Sequence, residues 1–344
     1  MQFLQQAQEV CQDLLFVDSH HDILMDVMSR HHRGERGALS GYWAPIMEAG
    51  GINVQVLPVY VDDRFLPGLG LREILRHLQA AEEDLTSDDS RMELANSVAD
   101  IQRITGAGKI AGLLALEGCD GLGGDARVLR ALCRFGIRMV AFTWERRNAF
   151  ADGTGVRNPG GLTAAGQEAL RDLCRSKVIF DVSHLAEPGF WDAIDIVEGP
   201  LVASHSNARA VFDHPRNLTD DQIRAVADCG GVIGLNFYGG YISDPPTCAR
   251  MADHLQHMVE LVGIEHFGIG ADFLEGTLRE VSVHALVESS IGPDMLHNWI
   301  EDCQSADQMP VFVAELLRRG FSREELTALL GGNWMRVFEQ VWGG

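Results

Sequence analysis

The stretch FVDSHHDIL, residues 16–24, interrupts an apolar run with Asp18, His20, His21 and Asp22. A buried strand gains from apolar side chains, and each unpaired polar group taken from water costs about 1–3 kcal/mol. Something must therefore satisfy these groups. The pattern recurs along the chain: LALEG carries Glu117, DVSHL carries His184, ASHSN carries His205 and GIGADF carries Asp272. Imidazoles and carboxylates are the side chains that move protons and the ones that hold divalent cations.

The elements that must position these residues are legible in the spacing. Eight short β-rich apolar runs alternate with helical or looped segments: LLFVDSHHDI, GINVQVLPVYV, KIAGLLALEG, IRMVAFTW, VIFDVSHL, PLVASHSNA, GVIGLNFY and HFGIGADF. Between them lie amphipathic patterns such as LREILRHLQAAEEDL, ARVLRALCRFG and ARMADHLQHMVELVG, with apolar residues at helical spacing. Strands alternating with helices predict βαβ units and a parallel sheet. Eight units without a linker or a break in composition predict an α/β fold of the (β/α)₈ TIM-barrel type, one domain over 1–344. SREELTALLGGNWMRVFEQVW reads as additional C-terminal helices packed on the barrel. No GxGxxG follows the first run, which argues against dinucleotide binding.

In such barrels the chemistry sits at the C-terminal ends of the strands, and there the polar residues fall. His20 and Asp22 end the first run, Glu117 the third, His184 the fifth, His205 the sixth and Asp272 the eighth. Period-two alternation predicts His20 and Asp22 on one side, with His21 pointing away. An ion-paired polar core of this size would be very costly without a cation. The mixed nitrogen and oxygen set suits zinc, with manganese, cobalt or iron as lesser options, and two ions account for the ligand count better than one. Lys109 and Lys177 are the only lysines and lie at strand starts, the wrong end for a carbamylated bridge, so the bridging group is expected to be Glu117. The remaining histidines fail the positional test. His31 and His32 read as loop, His254 and His257 as helix and His266 as the opposite rim, with His77, His214, His284 and His297 outside the site.

Composition narrows the function classes. A net charge of −21 disfavours nucleic acid and anionic membrane as partners, because both need Lys/Arg to neutralise phosphate. No stretch approaches the roughly 18 consecutive apolar residues of a membrane span, and the N-terminus lacks a basic start and apolar h-region, so a cytoplasmic location is expected. Seven cysteines without a CxxC pair argue against a disulfide framework or a thiolate zinc site.

DSHHD, LEG, DVSH, SHSNARAVFDHPRNLTDDQI and GIGADF, in that order, together with GGLTAAGQEALRDL and the closing LLGGNWMRVF, resemble the membrane (renal) dipeptidase family, a metallopeptidase branch of the amidohydrolase superfamily. The likeness runs nearly end to end. It implies that His20 and Asp22 bind one zinc, His184 and His205 bind the other, and Glu117 bridges two Zn2+ per chain. It also implies that Asp272 lies beside the metal-bound water, that Arg216 of HPRN contacts the substrate, and that the chain forms a homodimer. Ser19 and His21 depart from the residues usual beside the first ligand pair. Trp144 stands where well-known mammalian members carry a histidine thought to contact the substrate carbonyl.

The expected activity is hydrolysis of small dipeptides, including those with a C-terminal D-residue as the resemblance implies, by attack of a metal-bridging hydroxide. Asp272 would move the proton, Arg216 would pair bidentately with the free carboxylate, and Trp144 would wall the substrate pocket. Two alternatives stand beside it: a dizinc amidohydrolase acting on N-acyl amino acids or another small amide, and a non-catalytic metal-binding barrel serving as a scaffold.

Overall fold

The computed structural model describes residues 2–87, 89–273 and 300–343, so His284 and His297 lie outside the described residues. Eight strands form one sheet: β1 (Val17–Asp18), β2 (Val54–Tyr60), β3 (Met92–Leu94), β4 (Ile110–Glu117), β5 (Ile137–Ala141), β6 (Ile179–Asp181), β7 (Ile233–Leu235) and β8 (Phe267–Ile269). Every ladder is parallel, in the order β6-β5-β4-β2-β1-β8-β7, with β3 pairing beside the first residues of β4. The architecture is α/β with a parallel, curled half-barrel sheet.

Two details differ from expectation. Met92–Leu94 forms a strand that the sequence pattern did not suggest, while the sixth apolar run makes only single bridges, Asp181 with Val202 and Ala203 with Ile233. Polar side chains take two of its amides. The amides of Ser204 and His205 donate to Asp181 Oδ1 and Ser183 Oγ, and Asn207 exchanges hydrogen bonds with the backbone of Asn236. A ladder cannot use groups already paired with side chains. The named strands therefore run as an open path, with 202–203 bridging its two ends.

Alternation along the strands sorts the core into two layers. Val54 and Val56 of β2, Ala111, Leu113 and Ala115 of β4, Met139 and Ile179 form one cluster with Trp334, Val337 and Phe338 of the C-terminal helix Asn333–Trp342. Their neighbours Leu57, Val59, Leu114, Leu116, Val140 and Phe180 pack outward against the flanking helices. The C-terminal helix thus plugs the sheet interior from the strand starts, and its Asn333 amide donates to the carbonyls of Ile264 and Phe267. Gly268 is required there, since a Cβ would sit 2.2 Å from Trp334 Nε1. Plugged at one end, the interior can open only at the strand C-termini. His31 and His32, expected in a loop, instead end the helix Ile23–His32, and a second helix, Ala44–Gly50, follows.

Candidate metal centre

Glu117 is the last residue of β4 and belongs to its inward-facing set. Its Oε1 lies 3.1 Å from His184 Nε2, 3.5 Å from His205 Nε2 and 3.6 Å from His20 Nε2. His184 and His205 bring their Nε2 atoms to 2.9 Å, and the His20 and His205 rings lie 3.7 Å apart. His20, Asp22 and Asp272 gather on one side of this group, while His20, Glu117 and His205 form a second set of potential donors. All six expected residues are buried and meet at the C-terminal rim.

Backbone geometry, rather than strand alternation, aims several of them. β1 ends at Asp18, so His20 to Asp22 lie beyond any pleat, and Asp22 occupies the N-cap position of the helix Ile23–His32 without a side-chain capping bond. His20 Nε2 and Asp22 Oδ1 still face each other at 3.9 Å, while His21 turns away against Trp43 and Phe273. His184 follows Phe180 and Val182 in parity, which would send it outward. A φ of 65° reverses it, and Asp272 has a φ of 53°. Such left-handed non-glycine residues cost about 1–3 kcal/mol and cluster at functional sites.

The histidine tautomers are set by partners that the sequence reading missed. His184 Nδ1 meets Glu145 Oε1 at 2.8 Å; as donor there it leaves the Nε2 lone pair facing Glu117. The Ser204 hydroxyl donates to Asp181 Oδ2 at 2.5 Å, so its oxygen accepts from His205 Nδ1 at 2.7 Å. Again Nε2 is left as the acceptor. Asp18 takes the amides of His20 and Ala271, and Asn236 donates to Asp272 Oδ2 at 3.0 Å. Glu145 had a signal in the sequence: a carboxylate directly after the Trp144 position at the end of the fourth run.

Arg216 is buried, donates to the carbonyl of His205 at 3.1 Å, and places Nε 3.4 Å from Glu145 Oε1. Its guanidinium lies over the Tyr241 ring at 5.4 Å. His214, expected outside the site, accepts the Arg216 amide through Nδ1 and so fixes that backbone. Trp144 is half-buried, its ring 5.9 Å from His184 and 5.3 Å from Tyr60, with the Arg146 guanidinium over it.

Burial, then the charges of neighbouring groups, pushes His20 and His205 well below the ordinary histidine range and His184 to about 4. Burial and facing carboxylates raise Asp22 and Glu117 well above the usual carboxylate range. Burial likewise lifts Asp272 to about 7, against the pull of Arg216 and Asn236. Burial also opposes ionisation of Glu145, yet His184, Arg216 and Thr154 together hold it down to about 2. Neutral imidazoles beside carboxyls that resist charging form a site that lacks positive charge at its centre. His20 Nε2 and Asp22 Oδ1 are buried without any hydrogen-bond partner. These are the atoms that divalent cations would satisfy, and the donor set fits them.

A parallel α/β sheet gathering such donors at the C-terminal edge of its strands is the architecture of a metal-dependent hydrolase. The profile of the membrane dipeptidase family, peptidase family M19, matches residues 4–342, and the chain belongs to that family; it is a metallo-dipeptidase. It is 32% identical over 290 residues to an uncharacterised Klebsiella pneumoniae protein of the pqqA 5′ region, covering 80% of this chain and 99% of the relative. It is 28% identical to dipeptidase tcpJ of Claviceps purpurea, over 79% of this chain and 60% of that protein. Among solved structures, a Rhodobacter sphaeroides metallopeptidase holding a phosphinate mimic of L-Ala-D-Ala superposes with a TM-score of 0.81 at 21% identity, covering 96% of this chain and 99% of that one.

Proposed function

We propose that this metallo-dipeptidase works with two zinc ions, held by His20 and Asp22 on one side and His184 and His205 on the other, with Glu117 shared. The observation that carries the reading is Glu117 Oε1 within 3.1–3.6 Å of three histidine Nε2 atoms while His20 Nε2 and Asp22 Oδ1 have no partner. When bound, such ions acidify water and polarise a carbonyl. The residues of the chain supply the rest.

Asp272, held near neutrality at about 7 and anchored by Asn236, is suited to take a proton and return it to the leaving amine. Arg216 offers its outer guanidinium edge to the free carboxylate of a dipeptide, with Glu145 and the His205 carbonyl fixing its inner edge. Trp144 walls the pocket for the neighbouring side chain. The L-Ala-D-Ala mimic in the Rhodobacter sphaeroides relative favours acceptance of a C-terminal D-residue. Curvature of the sheet and the 202–203 bridges favour a closed barrel around this centre.

Metal analysis of fully active protein, with turnover of L-L and L-D dipeptides and N-acyl amino acids read as free amine, tests the reading. Two zinc equivalents with dipeptide turnover support it. One tightly held ion at full activity overturns the binuclear assignment, and preference for N-acyl amino acids overturns the substrate. Arg216→Lys should raise KM for dipeptides about tenfold or more, since a charge-assisted bond contributes about 1.5–3 kcal/mol. It should barely affect amides blocked at the C-terminus.

A further inference from the structure

At the rim opposite the histidines, where β5 and β6 begin, the surface carries an open cavity of about 510 Å³. Arg130, Arg134 and Arg138 line it, together with Asn96, Ser176 and the 67% exposed Phe135. No carboxylate lines it among the described residues, in a chain with 49 acidic and 28 basic residues. Arg130 pairs with Asp172, a carboxylate that Arg175 also engages. Arg134 and Arg138 have no carboxylate partner among the described residues. Arg138 Nε is buried without an acceptor, and its guanidinium sits 5.1 Å from the ring of Trp342, which lies outside the cavity lining. Buried donors that pair with nothing lose their hydration without return.

We infer that this cavity is a second ligand site, separate from the metal centre, that binds the phosphate monoester of a small organic molecule. Two uncompensated arginines match the charge of a phosphate monoester, about −1.5 to −2 near neutral pH, better than that of one carboxylate. Their planar forks suit phosphate oxygens, and the Ser176 hydroxyl and Asn96 amide add further donors. Phe135 offers an apolar platform for the organic part. The volume falls within the roughly 300–1,000 Å³ of small-molecule sites. A long polyanion is disfavoured, because the net charge of −21 surrounding this patch repels it.

Calorimetric titration of the metal-loaded full chain with phenyl phosphate, inorganic phosphate and benzoate tests the assignment. One saturable site per chain for phenyl phosphate is expected, with weaker inorganic phosphate and weaker benzoate. The double variant Arg134→Gln/Arg138→Gln should lose affinity by about tenfold or more while dipeptide turnover stays unchanged. Arg134 is exposed, so Arg134→Gln alone keeps the test valid if the double variant fails to fold, and it too should weaken binding. Absence of saturable binding, or equal affinity in the arginine variants, overturns the site. Competition between phenyl phosphate and a dipeptide would place the ligand at the metal centre and do the same, and benzoate binding as tightly would overturn the phosphate assignment.

Discussion

His254 and His20 are both shut away from solvent, yet their surroundings differ in kind. His254, on the helix Cys248–Val262, accepts the Ala208 amide at Nδ1 and faces the Ile242 carbonyl with Nε2 at 2.9 Å. Asp84 is equally buried and receives the amides of Gly37 and Leu39 beside His31. In both cases every need is met by the chain itself. At the strand C-termini, His20 Nε2 and Asp22 Oδ1 are left with nothing, and three imidazoles crowd one carboxylate oxygen. Burial of a polar group therefore does not mark a site, and neither does one unpaired atom, since His21 Nδ1 and Nε2, Gln55 Oε1 and Trp334 Nε1 are also buried without a partner; the convergence of several donor atoms on one point does.

The largest test of that contrast is Glu117→Gln, which keeps the shape but removes the shared charge. Metal content should fall and turnover should drop below detection, both checked on the same purified sample. Full zinc occupancy in the variant would show that Glu117 is not the shared ligand. Asp272→Asn should keep the metal and cut kcat by ~10²–10⁴-fold. In the wild type, activity should rise with pH as Asp272 loses its proton. Burial places this limb near 7 before bound cations pull it lower, and the variant's profile should lack it.

Glu145→Gln retains an acceptor for His184 Nδ1 but removes the charge that steadies both His184 and Arg216. Metal affinity measured against a competing chelator should weaken by about 10–100-fold, the usual range for partners behind metal ligands, and KM should rise with it. A smaller effect is expected from Trp144→Ala: a KM raised several-fold with kcat nearly unchanged and a broader side-chain tolerance, because ground-state contacts are lost. A ~10²-fold fall in kcat alone would instead make the indole N–H a transition-state donor. His254→Phe completes the comparison at the other region. It should lower stability by about 1–3 kcal/mol in denaturant unfolding, by stranding the Ala208 amide and Ile242 carbonyl, and leave metal content and KM unchanged.

The sequence by itself determined the α/β class and the rim at which the ligand-type residues gather, because apolar runs ending in such residues report both burial and strand direction. His20, Asp22, Glu117, His184, His205 and Asp272 were legible as one set for that reason. Their aiming was not. Alternation predicted the sides of His20 and His21 correctly for the wrong reason, since β1 ends before them, and it would have turned His184 outward without the φ of 65°. Only tertiary structure decided that Glu145 backs His184, that Asp181 and Ser204 back His205, and that His214 holds the Arg216 backbone. Glu145 and Asp181 come from elements distant in the chain, and local periodicity carries no record of which elements meet; Ser204 and His214 are sequence neighbours of the residues they hold, but periodicity does not say that they turn toward them. The same holds for residues 200–208, which read as a strand from their composition, yet the amides of Ser204 and His205 bond to side chains of neighbouring elements, a competition visible only once Asp181 and Ser183 stand beside them.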